Sequence, residues 1–155
     1  GNLGHPNAAC TCTPAVLRRY LSRVSGPLLD RIDVRVALAP PAFEELSGVG
    51  SDEGTPSARF RVVEARRRQA ERGSALNARL SVAELDDVLR ATPEAVGIVR
   101  SAVGKLGLTA RGYHKVLRVS RTIADLAGAE GVDAEHVLEA LQYRETPAGL
   151  LQGAP

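Results

Sequence analysis

Two arginines in this chain stand where a guanidinium could grip a phosphate. Arg31 lies in the run Ser25-Gly26-Pro27-Leu28-Leu29-Asp30-Arg31-Ile32-Asp33. Gly26-Pro27 predicts a rigid turn, and Leu28 and Leu29 a short helical turn. Ile32, Val34, Val36 and Leu38 then alternate with Asp33, Arg35 and Ala37 at the strand period. A permanently charged, planar fork of donors held at such a junction suits a phosphoryl group on a neighbouring molecule. It suits turn carbonyls, or a pair with Asp30 or Asp33, equally well. Arg111 follows the capping residue Thr109. The partial positive charge of a helix start disfavours a cation there by roughly 0.3 to 1 kcal/mol unless an anion is present. An arginine beside free amide donors is then a ready phosphate grip, and a solvated arginine at an exposed helix end is the competing reading.

Other groups carry weaker signals. Arg59, Arg61, Arg66, Arg67, Arg68 and Arg72 crowd one segment against Glu64 and Glu71, a density that would attract a phosphate backbone. Arg59, Arg66 and Arg67 are the candidate DNA contacts. The arginines fall on several sides of a helix, however, and a charge run is commonly a solvated, partly salt-bridged face. No aromatic residues are expected to interleave with them and stack bases. Cys10 and Cys12 are the only cysteines, and Cys-x-Cys with His5 makes an incomplete ligand set for a structural metal. His114 and His136 have no partner spacing that suggests a ligand or a base.

The elements that must position these groups are mostly helices. With two Phe, three Tyr and no Trp in 155 residues, the core must be aliphatic, which favours packed helices. Thr13-Pro14 opens a helix carrying Leu17, Tyr20, Leu21 and Val24. A strand follows to Pro40-Pro41, and Gly48 to Gly54 reads as a flexible polar link. Thr55-Pro56 starts a helix to about Arg72. Ser81 with Glu84 is a capping box for a short helix to about Arg90, and Thr92-Pro93 opens another with Val96, Val99, Ala102, Val103 and Leu106, stopped by Gly107.

Thr109 caps a long helix whose apolar stripe is Tyr113, Val116, Leu117, Ser120, Ile123, Ala124 and Ala127. Its opposite face holds Arg111, Lys115, Arg118, Thr122 and Asp125. Gly128 ends it, and Asp133 caps a last helix with Val137, Leu138 and Leu141. One apolar strand cannot stand alone, because its backbone groups need sheet partners. The first 40 residues therefore read as part of a sheet that is elsewhere.

Net charge is +2, too small to announce a nucleic-acid partner by itself. No apolar run approaches the roughly 20 residues of a membrane-spanning helix, and the first residues lack the pattern of a secretory signal. Two cysteines are too few for a disulfide framework, so a cytoplasmic location and no membrane partner are expected.

Three runs together resemble a known family: Leu106 to Leu126 with Arg111, Ala140-Leu-Gln-Tyr-Arg144, and Tyr20 to Asp33 with Arg31, joined by the Leu76-Asn77-Ala78 segment. They resemble the magnesium-chelatase-like AAA+ ATPases, and within them the ComM/YifB branch, known for competence-related DNA processing. The resemblance implies a mainly α chain, a helical AAA+ lid domain preceded by the last helix-turn-strand of the α/β AAA+ core. By it, residues 1–48 belong to the nucleotide-binding core with a disordered leader at 1–12, residues 49–54 link, 55–144 form the lid, and 145–155 are a flexible tail. Arg31 corresponds to the arginine finger acting in trans and Arg111 to the sensor-2 arginine that touches ATP within its own subunit.

The same resemblance implies ATP and Mg²⁺ as cofactors of a longer parent protein, a homo-oligomeric and hexameric ring, and work on branched or recombining DNA. No G-x-x-x-x-G-K-[ST] loop and no Mg²⁺-holding acidic strand occur in these residues, so this stretch alone is expected to be an inactive piece of an ATPase with no nucleotide bound. Family members carry a Cys-Pro-Cys-Gly ahead of the Cys-x-Cys, which makes Cys10 and Cys12 half of a possible zinc site in the parent; no bound zinc is expected here. The alternatives are the ATPase subunit of magnesium chelatase, driving metal insertion into a porphyrin, and a helical interaction module with no nucleotide role.

Overall fold

The computed structural model describes residues 1–5, 8–38, 41, 54–73 and 76–144. It separates into two units, Gly1–Ser51 with Glu145–Pro155, and Asp52–Arg144. The expected tail at 145–155 and most of the expected link at 49–54 lie outside the described residues.

The first unit holds α1 (Pro14–Leu21) and α2 (Gly26–Arg31). Thr13 occupies the cap position of α1 but its side chain makes no capping hydrogen bond. Gly26 and Pro27 are the first two residues of α2 rather than a separate turn, because the Ser25 hydroxyl accepts from the Leu28 amide at 3.3 Å and starts the helix one residue earlier. Proline suits this place, where its missing N–H would have had no helical acceptor. Neither helix buries a residue.

The apolar run from Ile32 to Leu38 forms no strand, and no strand occurs among the described residues. A period-two pattern specifies a face, whereas a strand also needs a neighbour to take its backbone hydrogen bonds. No neighbour is present here among the described residues, and Val36 and Leu38 stand exposed.

Among its described residues the second unit has helices and one isolated bridge as its regular structure. It contains α3 (Thr55–Glu71), a 3-10 turn (Asn77–Arg79), α4 (Val82–Leu89), α5 (Pro93–Leu106), α6 (Ala110–Ala127) and α7 (Ala134–Gln142). Local chemistry sets most of these ends. Ser81 and Glu84 form the reciprocal capping box of α4, and Thr92, Thr109 and Asp133 cap α5, α6 and α7 through their side chains. Gly107 and Gly128 stop α5 and α6 in the left-handed conformation at φ 60° and 78°, where a Cβ would be strained. At α3 the cap is Gly54, so Thr55 is already helical.

The long α6 is the axis of this unit, packed against α3, α4 and α7. Leu117 and Ala124 meet Leu80, Leu85, Leu89, Ala95, Val99, Val132 and Val137 in the main core, while Val116 and Ile123 meet Ala140 in a second cluster. Ser120 is buried in the stripe because its hydroxyl donates to the Val116 carbonyl at 2.9 Å. Ala127 falls outside the stripe and is exposed. On α5 the buried residues are Ala95, Val99 and Ala102, whereas Val96, Val103 and Leu106 face outward. The connection after α4 turns through Arg90 at φ 43° and is pinned by a parallel bridge between Ala91 and Val132.

Candidate functional site: two arginines and a buried polar clasp

Arg31 is the last residue of α2 and is exposed. Its Nη1 donates to the Pro27 carbonyl one turn back at 2.8 Å, so the guanidinium caps its own helix through a turn carbonyl, one of the two roles legible in the sequence. Such a bond at an exposed site contributes about 0.5 to 1.5 kcal/mol.

Arg111 is the second residue of α6, also exposed. The Thr109 hydroxyl takes the Gly112 amide at 3.0 Å, and no acidic residue lies in the first turn. The other amides of that turn have no intrahelical acceptor. A cation, unsatisfied amides and the positive helix end thus converge with no anion of the same turn to balance them, which is an arrangement suited to phosphate.

Cys10 and Cys12 are half-buried free thiols. The Cys10 thiol is held below its ordinary value, chiefly by a backbone hydrogen bond at Cys12. No group of three or more His, Cys, Asp or Glu residues is gathered in metal-ligating fashion among the described residues.

On α3, burial of Ala65 and Gln69 fixes which side faces inward. Arg59 and Arg66 are exposed, whereas Arg67 is bridged to both Glu64, at 3.0 Å, and Glu71. These carboxylates raise the Arg67 pKa above its ordinary value, Glu64 most. Phe60, for which no stacking role was expected, is 67% exposed beside Arg59. A charged neighbourhood hides a single aromatic in a composition count, and only the inward side of the helix reveals where it points.

The strongest polar cluster was not foreseen at all. Asp125, placed by helical periodicity on the polar face of α6, is 1% exposed. Its carboxylate accepts from Arg72 Nη1 at 2.6 Å and Nη2 at 2.8 Å, from Arg121 Nη2 at 2.9 Å, and from Asn77 Nδ2 at 2.7 Å. Arg121 is itself fully buried and also donates to the carbonyls of Ala129 and Glu130 at 2.8 and 2.9 Å. Burial opposes the Asp125 anion, but the Arg72 and Asn77 hydrogen bonds with the two guanidinium charges outweigh it and lower its pKa. Burial pushes the Arg121 guanidinium down from its ordinary value, with Asp125 opposing.

The neighbouring Thr122 hydroxyl accepts from Asn77 at 3.2 Å, and Arg118 donates to the Leu80 carbonyl at 2.8 Å. The face of α6 opposite its apolar stripe is therefore largely structural. Arg111 alone of that set is exposed, while Lys115 is half-buried. The i,i+4 pair Arg121 and Asp125 beside Ser120 and Ala124 was the available signal.

The helical fold agrees with two family matches. Residues 52–144 match the model described as "Magnesium chelatase, subunit ChlI C-terminal", and residues 1–46 match "Magnesium chelatase, subunit ChlI". The chain belongs to this magnesium chelatase ChlI-type family and is ComM/YifB-like within it. It is 40% identical over 136 residues to the "Competence protein ComM" of Haemophilus influenzae, covering 85% of this chain and 26% of that protein. It is 36% identical over 135 residues to YifB of Escherichia coli, covering 86% and 26%, and 38% identical over 146 residues to an uncharacterized protein of Mycobacterium tuberculosis, covering 90% and 28%. The chain thus spans about a quarter of the length of the curated relatives it matches. No helix among the described residues is long and apolar enough to cross a membrane.

Proposed function

We propose that the chain contributes the lid and two phosphate-directed arginines to an ATP-hydrolysing ring motor that works on branched or recombining DNA. The observation that carries this reading is Arg111, exposed in the first turn of an 18-residue helix that offers no acid there. Such an end fits a phosphate of ATP. Bound ATP with Mg²⁺ would supply the terminal phosphoryl group and a cation that neutralises its charge.

The residues of this chain have three tasks in that reading. Arg111 neutralises phosphate charge from within its own subunit and ties the orientation of α6, and with it the whole helical unit, to an occupied site. Arg31 serves a site held by the next subunit of the ring. It exchanges its bond to the Pro27 carbonyl for a phosphoryl oxygen, which makes turnover depend on assembly. In measured cases an arginine acting in trans is worth on the order of 10³ to 10⁵ in rate. The clasp around Asp125 keeps α6 in register so that Arg111 is presented consistently.

The test uses the full-length protein that carries this chain. Arg31→Ala is expected to retain ATP binding and ring formation and to lose hydrolysis; unaltered turnover would remove the finger role. The name of the family models favours a second reading, an ATPase subunit that drives metal insertion into a porphyrin. The name "Competence protein" of a 40% identical relative favours DNA. Stimulation of turnover by branched DNA, against stimulation by porphyrin with partner subunits, separates the two.

A further inference from the structure

The outward side of α3 has the composition of a contact for single-stranded nucleic acid. With Ala65 and Gln69 turned inward, Phe60, Val63 and Arg67 occupy the opposite arc, because residues three, four and seven apart share a helix face, and Arg59 and Arg66 border that arc along one side. Phe60 is 67% exposed and Val63 54%. Three residues apart on one face, they give this basic helix an exposed apolar strip open to a partner.

Charge decides what that is. Glu64 and Glu71 both engage Arg67, which leaves Arg59 and Arg66, along one side of Phe60 and Val63, with no ion pair among the described residues. A protein partner of ordinary composition would leave these two cations buried without anions. A single strand offers an aromatic face to the ring and phosphates to the guanidiniums at once.

We propose that Phe60 stacks on a base of single-stranded nucleic acid while Arg59 and Arg66 hold the flanking phosphates. The span from residue 59 to 66 is about 10 Å along the helix. Binding by this mode is tolerant of sequence, since every base has a π-face and no base edge is read. The inference takes its partner class from the DNA reading above, but it concerns a surface that is separate from Arg31 and Arg111.

The experiment measures fluorescence anisotropy of a short labelled oligothymidylate with the 155-residue chain over a salt series. Wild type is expected to bind with a salt slope of about −1.4, two phosphates at about 0.7 each. Phe60→Ala is expected to lose roughly 5- to 150-fold in affinity at unchanged melting temperature, and Phe60→Tyr to restore it. Arg59→Glu should flatten the slope by about 0.7 or more, and Arg100→Glu on α5 should leave the Phe60 dependence intact.

Absence of oligothymidylate binding at low salt, or equal binding by wild type and Phe60→Ala, overturns the proposal. So does a Phe60-dependent self-association, seen by light scattering, that leaves oligothymidylate binding unaffected, because the ring would then be covered by a second copy. Strand binding that survives while turnover of the full-length protein ignores DNA would sink the motor reading and leave this surface standing.

Discussion

Asp125 accepts both terminal nitrogens of Arg72, at 2.6 and 2.8 Å, across 53 residues of sequence. This bidentate pair joins the residue that ends α3 to the last turns of α6. The Arg121 guanidinium sits on the same carboxylate and reaches the start of the loop before α7. One anion thereby fixes three segments.

Asp125→Asn tests that arrangement. It keeps the shape but removes the charge that compensates the buried Arg121. Breaking one side of a buried pair costs about 3 to 5 kcal/mol, and the expected loss lies in that range by urea denaturation at neutral pH. A loss below 1 kcal/mol would show that water reaches and solvates the cluster.

The same carboxylate predicts an acid-sensitive component of stability. Its pKa in the folded chain lies below the ordinary 3.8, so its contribution is fully present above that value and is lost as pH falls through the lower folded value. Denaturation series at pH 7, 4 and 3 should show the gap between wild type and Asp125→Asn holding near pH 4 and closing beneath it. A gap that closes already near pH 6 would mean that another group controls the clasp.

Gly131→Ala probes the joint between α4 and the loop leading to α7. A Cβ there would lie 2.5 Å from the Arg90 carbonyl oxygen, which is backbone and cannot swing away. The bridge beside it, with Thr92 N to Val132 O at 3.0 Å and Val132 N to Leu89 O at 3.2 Å, would have to shift. Thermal melts should report a destabilisation of about 1 to 3 kcal/mol. An unchanged melting temperature would place the two segments farther apart.

Arg111→Ala separates a binding role from a structural one. Removing a cation from the first turn of α6 should raise stability by about 0.3 to 1 kcal/mol, while nucleotide-dependent activity of the full-length protein falls. A stability loss above 1 kcal/mol would make Arg111 a structural residue and count against its phosphate role.

Much of this molecule is written locally. Ser81 with Glu84, Thr92 before Pro93, Thr109, Gly107, Gly128 and Asp133 each act within about four residues, and each helix end they predict is present. The unusual place of Arg111 was legible for the same reason, since a helix start is defined by its own neighbours. The Asp125 site was not, because periodicity ranks a carboxylate as surface and cannot know that Arg72 and Asn77, far off in sequence, arrive to neutralise it. Nor could it say that Phe60 stands in water, which follows only from Ala65 and Gln69 turning inward.

The run from Ile32 to Leu38 marks the opposite limit. Its alternation specifies a strand, but pairing is a property of two segments, and the described residues hold only one. Sequence alone determined where helices begin and stop, because capping and left-handed turns are short-range chemistry. Tertiary structure decided which charges are buried, which ring is exposed and whether an alternating run becomes a strand, because each depends on what a distant part of the chain brings alongside.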